Sequence, residues 1–487
     1  MSKSIHPGLV SASQFLTHGL GGWNYVSEIT DNPQQDLEGM INGFNTSIEA
    51  NRLETGSAGL FATAAIYEQD NGLSTALVGF PIWKNSQHAE MASQQGHAKT
   101  LAYVYQNTGN AFLDNISGTF AFFVSDPANQ SLLVGTDRMG NFPVYYTQTK
   151  KGVIFGSSAN TVLEHPCVAK TITPQGVYSY VYFHMVPSPI SIYKNVKKLP
   201  AAHYFCVKDG NLTTERYWSP EFNSRRNKSF EQFGKELREE LRKSVSRCIQ
   251  PNQKTASFLS GGLDSSTVTG VLAELSENGS DAYSIGFSAD GYDEMAYARI
   301  TAKHFGVRLH EYYVTPEDVV DALPRIATSY DEPFGNSSAL PAWFCADVAA
   351  KDGVERLVAG DGGDELFAGN ERYAQQAIFE NWLQIPKTLR SGFLEPIIAA
   401  APGQIPLADK AKSFISQANT SLPDRLQTYN FLHRHQPSEI FSAQFLNDVD
   451  PRAPLAILRK IYNAPAKATA LNRMLYLDWQ ITLADND

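Results

Sequence analysis

SFLSGGLDSSTVTG, residues 257–270, ends an apolar strand in a turn of glycine and hydroxyl residues that opens a helix. Such a turn suits phosphate. Gly261 and Gly262 let backbone N–H groups approach an anion, Ser260, Ser265 and Ser266 add hydroxyl donors, and the positive end of the helix dipole points at the same place. Val268, Val271, Leu272 and Leu275 recur at the spacing of one buried helical face. Asp264 is the odd member: an acid among phosphate donors repels the ligand unless a divalent cation lies between them. A magnesium nucleotide is therefore implied.

The better-known phosphate loop needs a Lys-Ser or Lys-Thr after a second glycine, and no lysine occurs in residues 257–270. SGGLDSS instead resembles the pyrophosphate loop of ATP-dependent synthetases that release pyrophosphate and leave an acyl-adenylate.

At 487 residues the chain has room for two or more domains, each with a sizeable core. A formal net charge of −10 argues against nucleic acid as a partner. The short run Arg225, Arg226, Asn227, Lys228 reads as a solvated linker. Cys167, Cys206, Cys248 and Cys345 are widely spread, so neither a zinc site nor a disulfide framework is expected, and they read as reduced and mostly buried. MSKSIHPGLVSASQ is too polar for a secretory signal and no apolar run reaches membrane-spanning length, so no membrane is involved and a cytoplasmic location is expected. The apolar residues 397–401, bounded by Pro396 and Pro402, read as a loop beside a buried helix.

Residues 1–218 are strand-rich, in runs such as STALVGFPIW, GTFAFFVSD and GVIFGSS, and packed antiparallel sheets are the expected architecture. Asp209-Gly210 between two alternating segments signals a hairpin that closes this region. SPEFNSRRNK then marks a boundary, with a second domain over residues 219–487. Ser229 and Gln232 form a capping box before a long amphipathic helix ending near Cys248. Strands around Phe258, at YSIGF, RLHEYYV and VERLVAG, alternate with helices over residues 293–305, 315–330 and 340–350. This predicts an α/β domain with a parallel sheet, whose ligands bind at the carboxyl ends of the strands, where Ser260, Gly286 and Gly360 fall. Beyond residue 374 helices and loops are expected.

VERLVAGDGGDELFAGNERY, residues 354–373, ends a second strand in a turn carrying Asp361, Asp364 and Glu365. One acid from each turn, Asp264 and Asp364, suits magnesium on ATP phosphates. SGGLDSS, YSIGF, DEPFGNSSALP and GDGGDELFAG occur in the order and approximate spacing of the asparagine synthetase B family, which the chain resembles from about Phe112 to Tyr373. In that family a carboxylate attacks the α-phosphate of ATP and an amine then displaces AMP. The resemblance implies that Ser260, Gly261, Gly262, Asp264, Ser265 and Ser266, with Leu263 between them, hold the pyrophosphate. It also implies that Asp264 and Asp364 bind magnesium, that Ile285 and Gly360 border the adenosine, and that Asp361 helps to accept an amine proton. The substrates implied are a small carboxylate, by default aspartate, and an amine. Ser337, Ser338 and Trp343 are expected near the carboxylate, although the two hydroxyls serve equally as caps of the helix that follows. The resemblance leaves room for a homodimer and for a separate source of ammonia.

Upstream, NISGTFAFFVSD, VGTDRMGNFPVYY and VPSPISIYKNVKKLPAAHYF resemble the family's N-terminal class II glutamine amidotransferase domain, an α+β sandwich of the Ntn-hydrolase type. The second domain would then be an adenine nucleotide α-hydrolase-like fold. Gly140 and Pro143 read as turn residues, and Asp137 and Arg138 as a structural ion pair.

The chain departs from the family in several places. The glutaminase nucleophile is a cysteine exposed by removal of Met1, and Ser2 stands there, followed by KSIHPGLV rather than an apolar strand. Gly79 and Phe80 align near the family's asparagine-glycine oxyanion hole, and His97 near its glutamine-binding aspartate. A degenerate, inactive glutaminase domain is expected. The family continues past ITLADND to a basic helix and a lysine that stabilises adenylation, whereas the sequence stops at Asp487, so a synthetase domain incomplete at its C-terminus is expected. The leading expectation is an ATP-dependent amide ligase. The alternatives are a peptide or natural-product amide synthetase or cyclase of the β-lactam synthetase kind, and a non-catalytic ATP-binding relative.

Overall fold

A strand buried on both faces needs apolar side chains at consecutive positions, and Phe120, Ala121, Phe122, Phe123 and Val124 supply them. Phe120, Phe122 and Val124 turn to one side, Ala121 and Phe123 to the other. The run lies in a two-sheet sandwich with helices outside. In the computed structural model, residues 19–25, 32–43, 50–54, 58–222, 228–250, 253–277, 279–287, 294–400 and 406–484 are described.

The N-terminal strands are β1 (Leu20–Tyr25), β2 (Asn51–Glu54), β3 (Ala58–Ala62), β4 (Ile66–Glu68), β5 (Ser74–Trp83), β6 (Ile116–Asp126), β7 (Ser131–Thr136), β8 (Tyr145–Gln148), β9 (Gly152–Gly156), β10 (Lys197–Lys198), β11 (His203–Lys208) and β12 (Asn211–Arg216). They form two sheets ordered β10-β8-β9-β1-β3-β2 and β12-β11-β7-β6-β5-β4, with every pairing among the described residues antiparallel. Leu20, Val78, Phe123, Val134, Phe155 and Phe205 fill the space between them. Helix α1 (Pro33–Asn42) covers the outside of the first sheet, and helices α2 (Ser86–Gln95) and α3 (His97–Thr108) the outside of the second. A short α4 (Ala159–Leu163) joins α1, and α5 (Pro174–Phe183) leads out of the sandwich. Each fully buried Phe or Leu contributes roughly 1.5–3 kcal/mol, so three apolar layers hold this half together. Asp209 and Gly210 both have positive φ, 50° and 76°, the pair of values a two-residue hairpin between β11 and β12 requires.

The long helix α6 (Phe230–Cys248) opens on the Ser229/Gln232 capping box. Then β13 (Thr255–Phe258), α7 (Leu263–Leu275), β14 (Asp281–Phe287), α8 (Met295–Phe305), β15 (Arg308–Val314), α9 (Pro316–Ser329), α10 (Ala339–Lys351) and β16 (Arg356–Val358) alternate, followed by α11 (Gly363–Phe367) and α12 (Glu371–Leu383). The four strands pair in parallel in the order β15-β14-β13-β16. Along β14, Ala282 meets α8 on one face and Tyr283 meets α10 on the other. The chain steps outward from β13 through β14 to β15, then returns to the opposite side of β13 as β16. That reversal opens a crevice at the carboxyl ends of β13 and β16, where the two glycine-acid turns emerge.

Several expectations are corrected. Asp137 makes no ion pair with Arg138. Its buried carboxylate accepts from the backbone N–H groups of Met139, Gly140, Asn141, Phe120 and Phe142 at 2.9–3.3 Å, while Arg138 stacks 5.1 Å from the Trp218 ring centre. Sequence neighbours in a turn point in different directions, and the nearest donors are amides. Of the four thiols only Cys345 is buried, since Cys167 and Cys248 are exposed and Cys206 is half-buried. The apolar stretch after Pro396 is an exposed helix, Glu395–Ala399, rather than a loop: proline sits in its first turn, where no amide is needed, and Ile397 is 67% exposed. Residues 401–405, Ser2 and residues 223–227 of the linker lie outside the described residues, and Lys228 beside it pairs with Glu236. Among the described residues no helix is long and apolar enough to cross a membrane.

Candidate functional site

The turn after β13 is shaped by Gly261, whose φ is +93° and whose added Cβ would stand 2.7 Å from the backbone nitrogen of Ala298 and the Cβ of Tyr297. Only glycine fits there. Ser260 Oγ lies 3.0 Å from Ser265 Oγ and accepts from the Gly262 amide at 3.3 Å, and Ser265 Oγ donates to the Gly262 carbonyl at 3.2 Å. Ser266 is held 3.0 Å from Thr301 of α8. Gly262 occupies the N-cap of α7 and provides no side-chain cap, so the first amides of this 13-residue helix keep their donor capacity toward the crevice. Leu263 turns outward and is 83% exposed.

The second turn presses directly on the first. A Cβ on Gly360 would lie 2.6 Å from the Ser265 amide nitrogen and 2.7 Å from the Asp264 carbonyl carbon, and one on Gly363 would collide with the Asp264 carboxylate. Gly362 has φ +88°, which reverses the chain within the turn and places it against Leu483. Asp364 turns its carboxylate to Gly369. The Asp264 carboxyl titrates above its ordinary range because burial disfavours its charge and because the Asp364 charge stands close to it. Two acids from different turns standing close together offer oxygen atoms of the type that divalent cations take as ligands.

Ser260, Gly261, Gly262, Asp264, Ser265, Ser266, Gly360 and Asp364 are thus brought together, and Asp361 sits exposed on the same turn. Ile285 is one strand away in β14, its side chain packed toward α9 and α10. Ser338 is at the N-cap of α10 but makes no side-chain cap bond, so the capping expectation for it fails, and the helix closes through the Ser337 and Ser338 carbonyls. Trp343 carries Arg325 4.7 Å above its ring.

Sequence inspection missed Tyr297 and Thr301, which wall the first turn from α8. It also missed Asp478, a buried acid that accepts from Tyr373 Oη and Arg372 Nη2, both at 2.5 Å. Most consequential are Asp331 and Glu332 at the start of DEPFGNSSALP. Asp331 accepts from Ser158 Oγ at 2.6 Å and the Ala159 amide at 3.0 Å, and Glu332 from the Ile192 amide at 2.7 Å and Tyr145 Oη at 3.0 Å. These acids fasten the parallel-sheet half to the sandwich. Asp331→Ala is expected to destabilise the protein by roughly 2–4 kcal/mol, because three part-buried donors lose their acceptor, and a lowered thermal midpoint checks it.

In the sandwich, His97 Nδ1 accepts from the Trp83 indole at 3.1 Å, and burial lowers the pKa of the ring. His97 is exposed at the start of α3, and its ring is held by this indole bond. Gly79 has φ +98° with the Phe142 ring against it, and Phe80 lies beneath the Arg356 guanidinium at 4.1 Å.

Residues 236–487 match the family model described as asparagine synthase, and residues 84–218 match that of a glutamine amidotransferase domain. Asparagine synthetase (glutamine-hydrolyzing) 1 of Bacillus subtilis is 27% identical over 385 residues, which cover 78% of this chain and 58% of the relative. Asparagine synthetase (glutamine-hydrolyzing) 3 of the same organism is 29% identical over 289 residues, 56% of this chain and 46% of the relative. Amidase chyE of Penicillium rubens is 22% identical over 425 residues, 79% of this chain and 62% of the relative. The chain therefore spans about half to three-fifths of the length of these relatives. With more than half of its residues matched by that model and its two glycine-acid turns joined at the sheet's crevice, the chain belongs to the asparagine synthase family.

Proposed function

We propose that the chain is an ATP-dependent amide-forming ligase, with a glutamine amidotransferase-like domain over residues 1–218 and a synthetase domain over residues 219–487, working in the cytoplasm. The supporting observation is the contact of the two turns, with the Asp264 carboxylate against Gly363 and the Asp364 charge close to it. A carboxylate oxygen of the substrate attacks the α-phosphorus of ATP, the bond to the β-phosphate breaks, and pyrophosphate leaves. An amine nitrogen then attacks the acyl carbon, AMP leaves with the bonding electrons, and Asp361 accepts the amine proton. Ser260, Ser265, Ser266 and the amides of the first turn hold the departing pyrophosphate, with Gly261, Gly262 and Leu263 shaping the turn, while Ile285 and Gly360 border the adenosine. Asp264 and Asp364 would hold magnesium, which when bound supplies neutralising charge to the phosphates. Aspartate is the default carboxylate. The test is product analysis with ATP, ammonia and a panel of carboxylates: AMP and pyrophosphate formed only with a carboxylate support the proposal, and ADP with phosphate contradicts it.

The sandwich half is proposed to hydrolyse no glutamine, because neutral His97 stands where an acid would grip the substrate ammonium and Phe80 is covered by Arg356. Labelled glutamine is expected to stay at background with the purified protein, and turnover well above it would refute this. The amine then arrives as free ammonia or on a larger substrate. The second reading is an amide synthetase that joins its carboxylate to an amine on a larger substrate. Activation of a larger carboxylate but not aspartate would select it.

A further inference from the structure

Away from the two turns, the edge of the first sheet and the start of α5 face the helix Ala453–Asn463 across an open cleft of about 890 Å³. That volume lies within the range of about 300–1,000 Å³ typical of small-molecule sites. Both halves of the protein build it, and Gln175 fixes its corner by accepting from the Asp450 amide at 2.7 Å and donating to the Asp450 carbonyl at 3.4 Å.

The cleft's charge runs against that of the chain. Overall there are 50 acidic and 40 basic residues, yet Lys194, Lys197 and Lys460 line this cleft against one acid, Asp448. None of the three ammonium groups has a hydrogen-bond or ion-pair partner among the described residues. Neighbouring Lys198 behaves differently: it turns inward to the Val186 carbonyl at 2.7 Å and to Glu332 at 3.6 Å. His203, also in the lining, has its pKa lowered by burial, with the nearby Arg216 and Lys460 charges acting in the same direction. The first turn of the 10-residue helix α5, capped by Thr173, adds its positive end. Ile172, Pro174, Pro189 and Ile190 supply apolar wall, with Ile172 left 57% exposed.

We propose that this cleft is a second ligand site, for a small organic phosphate whose anionic group meets Lys194, Lys197 and Lys460 and whose apolar body lies on Ile172 and Pro174. Three cations lining one cleft against a single acid favour a polyanion, and the apolar wall selects against bare inorganic phosphate.

Pyridoxal 5′-phosphate probes both features. Its aldehyde condenses with a lysine amine, releasing water, and borohydride adds hydride to the imine to fix the label. Expected is labelling of the cleft lysines at least about tenfold faster than by pyridoxal, which has the same ring without the phosphate. Millimolar glycerol phosphate should protect, and inorganic phosphate should protect less. Lys194→Ala/Lys197→Ala/Lys460→Ala, at exposed positions, should abolish saturable pyridoxal 5′-phosphate binding, whereas Asp264→Asn should leave it unchanged. Labelling spread evenly over the chain's lysines, equal rates with pyridoxal, or unchanged saturable binding in the triple variant would each overturn the proposal. Loss of binding in Asp264→Asn alone would also overturn it, by placing the phosphate at the other site.

Discussion

Asp264→Asn is expected to lower carboxylate-dependent pyrophosphate release by about 10²–10³-fold while leaving the fold intact. The carboxylate sits at the one place where both turns meet, against Gly363 and close to Asp364, and amide for acid removes a charged oxygen without changing shape. The same substitution has an opposite effect on stability. Burial and Asp364 raise the Asp264 pKa above its unfolded value, so at neutral pH the folded state carries a charge it disfavours. Below the unfolded carboxyl range that cost is absent, and it grows as pH rises through the raised folded pKa. Without divalent metal, Asp264→Asn should therefore melt no lower than the parent at pH 7, and the advantage should vanish in acid. Thermal melts from pH 3 to pH 8, run beside the turnover assay, check both signs. A variant that loses activity and melts lower at pH 7 would show Asp264 to be a structural residue.

Gly360→Ala is expected to be as damaging by a different route. The added methyl would stand 2.6 Å from the Ser265 nitrogen and 2.7 Å from the Asp264 carbonyl carbon. Those atoms are backbone and cannot rotate away, so the two turns must separate. Overpacking of this kind costs roughly 1–3 kcal/mol, and a displacement near 1 Å in a positioning group costs about 10²-fold in rate. Gly353→Ala is the control, because Gly353 has positive φ, 74°, which strains an added side chain, but its Cβ would meet nothing within 4 Å. Comparable stability loss in both variants, with pyrophosphate release lost only in Gly360→Ala, is the expected pattern. Full activity in Gly360→Ala would mean that the turns need no contact.

How much of this was legible in the sequence depended on whether a residue's role was local. The capping box at Ser229, the Asp209-Gly210 hairpin and the strand-turn-helix around Gly261 are set by neighbours a few residues away, and each lies where the sequence placed it. Alternating strands and helices gave a parallel sheet but not its order, and the return of β16 to the far side of β13 is what sets the two turns side by side. Asp331 and Glu332 were legible only as part of a motif, since their partners Ser158, Ala159 and Ile192 lie far away in sequence. Asp137 misled because its neighbour is an arginine, while five backbone amides hold it. Residues 397–401 misled because the flanking prolines read as loop punctuation, whereas Pro396 sits in the first turn of a helix. Thr301 and Tyr297 carry no local signal, although the glycine at 261 implies that something must approach it closely.

The most direct measurement of the central claim is an ATP titration by calorimetry, with and without magnesium, on the parent chain and on Asp264→Asn and Asp364→Asn. Metal-dependent ATP binding that weakens by at least about tenfold in each variant, with metal-free binding little changed, is the predicted result. ATP binding that is equally tight without magnesium, or that is indifferent to both substitutions, would contradict the claim that the two turns clasp a metal-bound triphosphate.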